Sequence, residues 1–351
     1  MTNTDLPAVA GVDLDRVLAW MDDCGLGRGP FTAVNQLVGG TQNILVQLTR
    51  AESTVVLRRG PLHLRPASND VLRREARLLG ALNDTDVKAP RLLAADLDGE
   101  VLGVVSYLMT AIDGLNVAGG LPSAWPDTDG VRHRMGLSAI EGLAALANVD
   151  HVALGLSDYG KPDGFLERQV ARWMRELETY NQMEGYGGPD IPGLDEVAAW
   201  LGANLPTPSP AGIMHGDFHL ANLLFRPNEP ELAAIVDWEM STIGDPLVDL
   251  GWILATWPGD EGLSVGPAMA FNGISGFARP DELVAHYAAL TGRDVSAIDF
   301  YVVLACFKLG IILEGTHARA SAGRADKGVG DLLHAITVAL FDKATTVIHG
   351  R

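Results

Sequence analysis

The first third of the chain alternates between hydrophobic and polar positions with the two-residue period of β-strands. Five runs have this pattern and predict strands: residues 31–38, 43–49, 53–59, 90–96 and 101–109. Residues 69–82 instead repeat hydrophobic side chains at helical spacing, which predicts one helix between the third and fourth strands. A shorter helical pattern covers residues 13–24 and ends at a glycine-rich run. The predicted structure is an antiparallel five-stranded sheet with one helix, preceded by a helical extension over residues 1–30.

The rest of the chain has a helical pattern. Residues 114–130 form a loop rich in Gly, Pro and Asp. Six runs after it predict helices: residues 132–148, 164–182, 194–204, 280–290, 297–315 and 330–348. Strand patterns are confined to residues 212–214, 222–225 and 232–236. We therefore predict an α+β protein with two lobes, an N-terminal lobe over residues 1–112 and a mainly helical C-terminal lobe over residues 113–351.

Composition supports a globular protein of two domains. The chain has 351 residues, of which 47% are hydrophobic and 20% charged. The longest apolar stretch, residues 300–313, contains Lys308 and is too short to span a bilayer. Two cysteines lie far apart, and we expect two buried free thiols rather than a disulfide. The N-terminal residues lack a secretory-signal pattern, so a cytoplasmic location without membrane attachment is predicted.

The net charge of −18 arises from 44 acidic and 26 basic residues. This balance argues against nucleic acid or an anionic membrane as partner, because binding them requires a cationic surface. The acidity could attract a cationic substrate, or it could only keep the surface solvated.

The strongest chemical signal lies at residues 215–222, which read HGDFHLAN, and at residues 235–239, which read IVDWE. Transfer of a phosphoryl group depends on alignment and on charge neutralisation. Asp217 could orient an acceptor hydroxyl and take its proton, whereas Asn222 and Asp237 offer the oxygen ligands that Mg²⁺ prefers. The apolar runs between them predict a β-hairpin that brings these residues together.

Two other enzyme classes do not fit the sequence. A dinucleotide-binding oxidoreductase requires a GxGxxG run after a first strand and alternating strands and helices. A P-loop enzyme requires GxxxxGK followed by Ser or Thr. The chain has neither pattern.

The sequence resembles the aminoglycoside phosphotransferase and choline kinase group, distant relatives of protein kinases, over about residues 35–340. Within this group it is most similar to the phosphotransferases associated with acyl-CoA dehydrogenases. The shared features are GGTQN at 39–43, VLRR at 56–59, RE at 74–75, the HGD loop, DWE at 237–239 and GDPLVDL at 244–250. The resemblance implies a protein-kinase-like fold that uses ATP and Mg²⁺.

Carried over residue by residue, the resemblance implies specific roles. The residues implied to bind the nucleotide are Gly39, Gly40, Thr41 and Asn43 in a phosphate-covering loop, Arg58 paired with Glu75, and Thr110 and Ile112 in the hinge. Asp217 is implied as the catalytic base, and Asn222 and Asp237 as the Mg²⁺ ligands. Arg58 stands where kinases have a lysine, and Arg59 is an alternative for the same role.

The resemblance also implies that Asp245 or Asp249 braces the catalytic loop. His215 and His219 are expected to be loop side chains without a metal or base role.

The predicted function is ATP-dependent phosphorylation of a small-molecule hydroxyl group by a monomer or homodimer. One alternative is a nucleotide-binding pseudokinase that acts through a partner. Another concerns the acceptor, which could be an aminoglycoside or other antibiotic rather than a hydroxyacyl-CoA-like metabolite. The choice between ATP and GTP stays open.

Overall fold

The computed structural model describes residues 6–37, 43–64, 66–258, 270–271 and 273–350. The chain divides into two compact units. The first comprises Met1–Asp113, Leu154–Leu156 and Ala234–Glu239, and the second comprises the remaining residues. Within the described ranges, none of the helices combines the length and hydropathy needed to cross a lipid bilayer.

The first unit is built on a five-stranded antiparallel sheet with strand order β1-β2-β3-β5-β4. Its elements are α1 (Leu14–Asp23), β1 (Ala33–Leu37), β2 (Ile44–Arg50), β3 (Ser53–Arg59), α2 (Ser68–Leu82), β4 (Leu92–Asp96) and β5 (Ser106–Thr110). Helix α1 begins where the Asp13 carboxylate accepts the amides of Asp15 and Arg16, each at 3.1 Å. The order of strands and helices agrees with the prediction, and the predicted fold class is confirmed.

Strand β3 lies at the centre of this sheet, and its side chains alternate between the two faces. Leu57 joins the hydrophobic cluster that includes α1. Arg59 lies two residues on and shares that face, where its guanidinium donates a 2.5 Å hydrogen bond to the Gly11 carbonyl. Arg58 therefore points to the opposite face, where its Nε lies 3.0 Å from Oε2 of Glu75 on α2. The alternation decides which of the two arginines meets Glu75.

The second unit is mainly helical. Its elements are β6 (Leu115–Asn116), α3 (Asp129–Ala147), α4 (Gln169–Tyr180), α5 (Leu194–Ala203), β7 (Gly212–Met214), β8 (Leu223–Phe225), β9 (Leu232–Ile235), β10 (Thr242–Gly244), α6 (Leu247–Thr256), α7 (Pro280–Thr291), α8 (Ile298–Ser321) and α9 (Lys327–Ile348). Strand β9 passes into the first unit at Ala234. The long helices α8 and α9 pack along each other, and α6 packs against α8.

Strands β7 and β10 pair antiparallel, and β6 pairs with β8. Neither β6 nor β10 was predicted, and helix α6 was also missed.

Three predicted elements differ from the structure by five residues or more at one end. The strand predicted over residues 101–109 begins only at Ser106, because the Asp96 carboxylate accepts the amides of residues 99–101 and holds them in a turn. The helix predicted from residue 164 begins at Gln169, after Gly164 adopts a φ of +62°. Helix α8 continues beyond Gly315 to Ser321.

Both cysteines are free, as expected, but only Cys306 is buried. The prediction that both thiols are buried is wrong for Cys24, which lies exposed at the end of α1.

Candidate active site

The catalytic loop predicted from the HGD triplet follows β7 in the second unit. It runs into a short 3₁₀ turn, Leu220–Asn222, and then into β8. Gly216 has a φ of +84°, and a Cβ there would lie 2.4 Å from the Met240 carbonyl oxygen. Only glycine fits this position, so the sharp turn at Gly216 depends on the residue type there.

Asp249 in the first turn of α6 fixes the start of this loop. Its Oδ2 accepts the amide of His215 at 2.6 Å, and its Oδ1 accepts the amide of Gly216 at 2.8 Å. Asp245 instead accepts the amide of Ser209 and the hydroxyl of Tyr301. The expectation that one of the two aspartates braces the loop is confirmed, and the residue is Asp249.

Asp217 projects from the loop with a third of its side chain exposed. Asn222 Nδ2 donates to the carboxylate at 3.0 Å and to the Asp217 carbonyl at 2.9 Å. The Nε2 atom of His219 lies 3.2 Å from Asp217 Oδ1. His219 was expected to be an ordinary loop side chain, but it contacts the candidate base directly. The sequence places His219 two residues after Asp217 but does not show that the two side chains meet.

The pKa of Asp217 lies well below its ordinary value. Burial works in the opposite direction, but the hydrogen bond and charge of His219 and the charges of His215 and Lys308 outweigh it. The carboxylate is therefore ionised across the physiological pH range. It can accept hydrogen bonds and protons but cannot donate them.

Lys308 is the residue near this loop that sequence reasoning missed. Its Nζ donates a 3.0 Å hydrogen bond to the Gly216 carbonyl and lies 4.2 Å from the centre of the Trp252 ring. Burial lowers the pKa of Lys308, while the charges of Asp217 and Asp249 act against that shift. The available signal was its place as the single charged residue in the apolar run 300–313.

A second group of candidate residues lies in the first unit around Arg58. Arg58 is only 4% exposed, although it is an arginine on a strand. Besides its Nε contact with Glu75, its Nη2 lies 3.0 Å from Oδ1 of Asp237 and 3.4 Å from Oε2 of Glu239. Burial tends to lower the pKa of Arg58, but Glu75, Tyr107 and Asp237 raise it above the ordinary value. The guanidinium stays charged and contacts the carboxyl groups of three residues.

Glu75 is fully enclosed in the same group. Burial raises its pKa to about 7, and the charge of Arg58 acts in the opposite direction. Its Oε1 accepts the Trp238 amide at 3.2 Å. Arg58 and the Trp238 amide thus both contact the carboxyl group of Glu75.

Asp237 has a φ of +66°, the one positive value found for a residue other than glycine in the described part of the chain. Asp and Asn are the residues most often found in this region among those with a Cβ, and such conformations concentrate at functional sites. The side chain is 38% exposed, and its Oδ1 atom contacts Arg58.

The structure describes only some of the other residues that were predicted to bind the nucleotide. Gly39, Gly40 and Thr41 lie outside the described residues. Asn43 precedes β2, and its Nδ2 donates to Glu239 at 3.3 Å. The Thr110 amide donates to the carbonyl of residue 91 at 3.0 Å, and the assignment of Thr110 and Ile112 to the hinge stays a prediction.

Each unit thus carries one group of candidate active-site side chains that are held by hydrogen bonds or ion pairs. The second unit holds an ionised aspartate beside an oriented amide. The first holds a charged arginine among carboxylates, beside a partly exposed aspartate in a strained backbone conformation. These are the residue types that phosphoryl transfer from a nucleotide requires, namely a base, oxygen ligands for Mg²⁺ and a cation for phosphate.

Comparison with known proteins identifies relatives along most of the chain. Residues 33–283 match the family described as "Phosphotransferase enzyme family". The chain is 32% identical over 301 residues to "Acyl-CoA dehydrogenase family member 11" of Gallus gallus, covering 84% of this chain and 37% of that protein. It is 29% identical over 286 residues to "Probable acyl-CoA dehydrogenase IBR3" of Arabidopsis thaliana, covering 78% and 34%. The chain therefore spans little more than a third of these curated relatives.

Solved structures give the same result for the fold. A putative aminoglycoside phosphotransferase from Ralstonia eutropha superposes with a TM-score of 0.76 at 28% identity, covering 95% of this chain and 98% of that one. An aminoglycoside 2''-phosphotransferase in complex with GDP and kanamycin superposes with a TM-score of 0.62, covering 95% and 99%, and at 15% identity it supports the fold alone.

Proposed function

The chain belongs to the phosphotransferase enzyme family, and from this premise we propose that it transfers the γ-phosphoryl group of ATP to a hydroxyl group of a small molecule. The proposal assigns the role of base to Asp217. It assigns Mg²⁺ to Asn222 and Asp237, and the nucleotide phosphates to Arg58, Gly39, Gly40 and Thr41.

The observation that carries the proposal is the environment of Asp217. The carboxyl group is ionised at neutral pH, as aspartates ordinarily are, and the side chains of His219, His215 and Lys308 stabilise its negative charge. An ionised carboxylate can accept the hydroxyl proton of an acceptor and hold that hydroxyl in line with the phosphate. The hydrogen bond from Asn222 and the contact with His219 restrict its orientation, which favours precise alignment.

The donor atoms suit Mg²⁺. Asn222 uses its amide nitrogen for two bonds to Asp217, and both partners are acceptors, so the amide oxygen is left for a ligand. Asp237 presents a partly exposed carboxylate oxygen. Hard oxygen donors are the ligands Mg²⁺ prefers, and when bound the ion would neutralise phosphate charge.

Arg58 supports the nucleotide part of the proposal. It is a fixed cation whose planar group can pair with both carboxylate and phosphate oxygens. In this proposal Glu75 positions Arg58 as the helix glutamate positions a lysine in kinases. Asn43 at the end of the glycine-rich loop, together with Thr110 and Ile112 at the hinge, completes the proposed nucleotide contacts.

Two acceptor classes follow from the relatives. The names of the curated relatives refer to acyl-CoA dehydrogenases, which favours a hydroxylated acyl-CoA as the first candidate. The similarity to a putative aminoglycoside phosphotransferase at 28% identity favours an amino sugar as the second.

The proposal is tested by incubating purified protein with Mg-ATP and a panel of hydroxyacyl-CoAs, aminoglycosides, simple sugars and choline-like alcohols. Phosphorylated product is detected by mass spectrometry. We expect one class to be phosphorylated and Asp217→Asn to reduce kcat by about 10²–10⁴-fold, since general-base catalysis contributes on that order. Nucleotide affinity should not change.

Asp163→Asn, a change in the loop before α4, is the control and should leave kcat unchanged. A variant at Asp217 with near-normal kcat would remove this residue from its role. Tight Mg-ATP binding without phosphorylation of any acceptor would favour a pseudokinase.

A further inference from the structure

Helices α8 and α9 carry a further group of ionisable side chains, separate from the catalytic loop and from the residues around Arg58. Glu314 and His317 lie three residues apart on α8, and Asp331 and His334 lie three residues apart on α9. Residues at this spacing share one face of a helix. Each helix therefore offers a carboxylate and an imidazole to the other, an arrangement that helical bundles use to bind metal ions.

The donor atoms converge. Single ligand atoms of Glu314, His317 and His334 all lie within 4.8 Å of one another. Oε2 of Glu314 is 2.8 Å from Nδ1 of His334, and Nδ1 of His317 is 3.8 Å from Oδ1 of Asp331. In a tetrahedral zinc site the ligand atoms lie about 2.0–2.2 Å from the ion and hence about 3.3–3.6 Å apart. The 2.8 and 3.8 Å separations lie on either side of that value, and Asp331 keeps its Oδ2 atom 2.7 Å from Lys327 Nζ.

Glu314 is unusual for an ordinary helix contact. Its side chain is 0% exposed, yet its oxygens meet only the Tyr186 hydroxyl at 2.7 Å and the His334 ring among the hydrogen bonds of the described residues. A buried carboxylate is costly unless a cation or several donors compensate it. Nδ1 of His317 is itself buried and makes no hydrogen bond within the described ranges. A cation between these groups would satisfy both.

The backbone brings the two helices close enough for this. A Cβ on Gly330 would lie 2.4 Å from the Cβ of Ala320, so glycine is what permits the approach. The ring centroids of His317 and His334 are 4.6 Å apart as a result.

We propose that Glu314, His317, His334 and Asp331 bind one zinc ion that fixes α8 against α9. Tyr186 would hold the other oxygen of Glu314 and so orient this ligand, as partners of metal-bound carboxylates do. Two imidazole nitrogens favour a transition metal over Mg²⁺, so the site differs in chemistry from the one assigned to phosphoryl transfer. It also lies about 9 Å along α8 from Lys308, six residues earlier.

The test uses the full chain, freed of metal with a chelator and then dialysed. Binding of ZnSO₄ is measured by calorimetry, the bound metal by elemental analysis and stability by thermal melting, with MgCl₂ as comparison. We expect one zinc per chain and a higher melting temperature with zinc, because a ligand that binds only the folded state stabilises it. Mg²⁺ should not substitute.

Glu314→Gln preserves shape and should weaken zinc binding by about tenfold or more, given that even partners of metal ligands contribute about 10–100-fold. His317→Gln should do the same and, being partly exposed, is the variant expected to fold without difficulty. His349→Ala is the matched control, because His349 and Glu196 form a similar 2.8 Å contact on the surface.

Three outcomes would overturn the proposal. They are wild-type protein that takes up no zinc, zinc uptake unchanged in both folded variants, and an equal loss of uptake in His349→Ala. Each is read from metal content and so is independent of any kinase activity.

Discussion

At the scale of single residues, a contribution of Lys308 to the proposed catalysis can be tested by substitution. It holds the Gly216 carbonyl and contributes to the low pKa of Asp217. Lys308→Met keeps the length of the side chain but removes its charge and its hydrogen bond. We expect kcat to fall about tenfold or more, which is less than the 10²–10³-fold typical for a donor that contacts the reacting atoms directly.

Lys343 provides the control for that experiment. It is also largely buried, and its Nζ donates to the carbonyls of Leu254 and Ala255 at the end of α6, at 3.0 and 2.8 Å. Lys343→Met should therefore lower the melting temperature while kcat of the folded enzyme is retained. An equal loss of kcat in both variants would mean that Lys308 acts only through stability.

Arg58 and Arg59 offer a second comparison at the level of single residues. Arg58→Lys retains a charge but loses the planar fork, so it cannot hold Glu75 and a phosphate at once. We expect the affinity for Mg-ATP to fall by about tenfold, the equivalent of one charged hydrogen bond, while adenosine binding is unchanged. Both are measured by calorimetry.

Arg59→Lys should change neither affinity, because Arg59 is directed to Gly11 on the other face of β3. If Arg58→Lys weakened adenosine as much as Mg-ATP, the phosphate assignment would fail.

At the scale of single residues, the sequence identified candidate residues that lie close together along the chain. Asp217 and Asn222 lie five residues apart in one loop, so a single motif identified both, and the structure shows that their side chains are hydrogen-bonded. Lys308 meets the same loop from 92 residues away, and no motif records such a contact. The choice between Arg58 and Arg59 depended on which face of β3 each side chain occupies, and this became clear only once the packing of α1 was known.

At the scale of elements, helix α6 determines where the catalytic loop begins. Asp249 in its first turn receives two backbone amides, whereas Asp245 just before the helix receives the amides of Ser209 and Leu247. Asp249→Asn would replace one accepting oxygen with an NH₂ group, which cannot accept the backbone amide that faces it. We expect a loss of about 1–3 kcal/mol in unfolding free energy, the cost of an unsatisfied buried donor, together with a lower kcat.

Asp245→Asn is the matched variant, since Asp245 is also buried and also accepts backbone amides. It should reduce stability by a similar amount, measured by urea denaturation, but the folded protein should keep its kcat. The opposite pattern, with kcat lost only in Asp245→Asn, would contradict the role given to Asp249.

The same helix shows why some elements escaped prediction. All ten residues of α6 are buried, so it has no polar face and no helical period of hydrophobic residues. Strands β6 and β10 have two and three residues, too few to alternate recognisably. The five strands of the first unit each have five residues or more, which is long enough for a hydrophobic or β-branched run to be recognised.

At the scale of the whole molecule, the net charge of −18 acts on every ligand. A negative surface raises the local concentration of cations and lowers that of anions. The two acceptor classes differ in sign, since amino sugars are cationic and acyl-CoA thioesters are anionic. The response to salt therefore reports which kind of acceptor the protein meets.

We expect kcat/KM for a cationic acceptor to fall between 0.01 and 0.1 M salt, as the screening length shortens from about 30 to about 10 Å. For an anionic acceptor the ratio should rise over the same range. The measurement is made at saturating Mg-nucleotide, so that screening acts on the acceptor alone, and a neutral alcohol from the panel serves as the control. An anionic acceptor whose kcat/KM falls with salt would mean that a local basic site, rather than the overall charge, governs its binding.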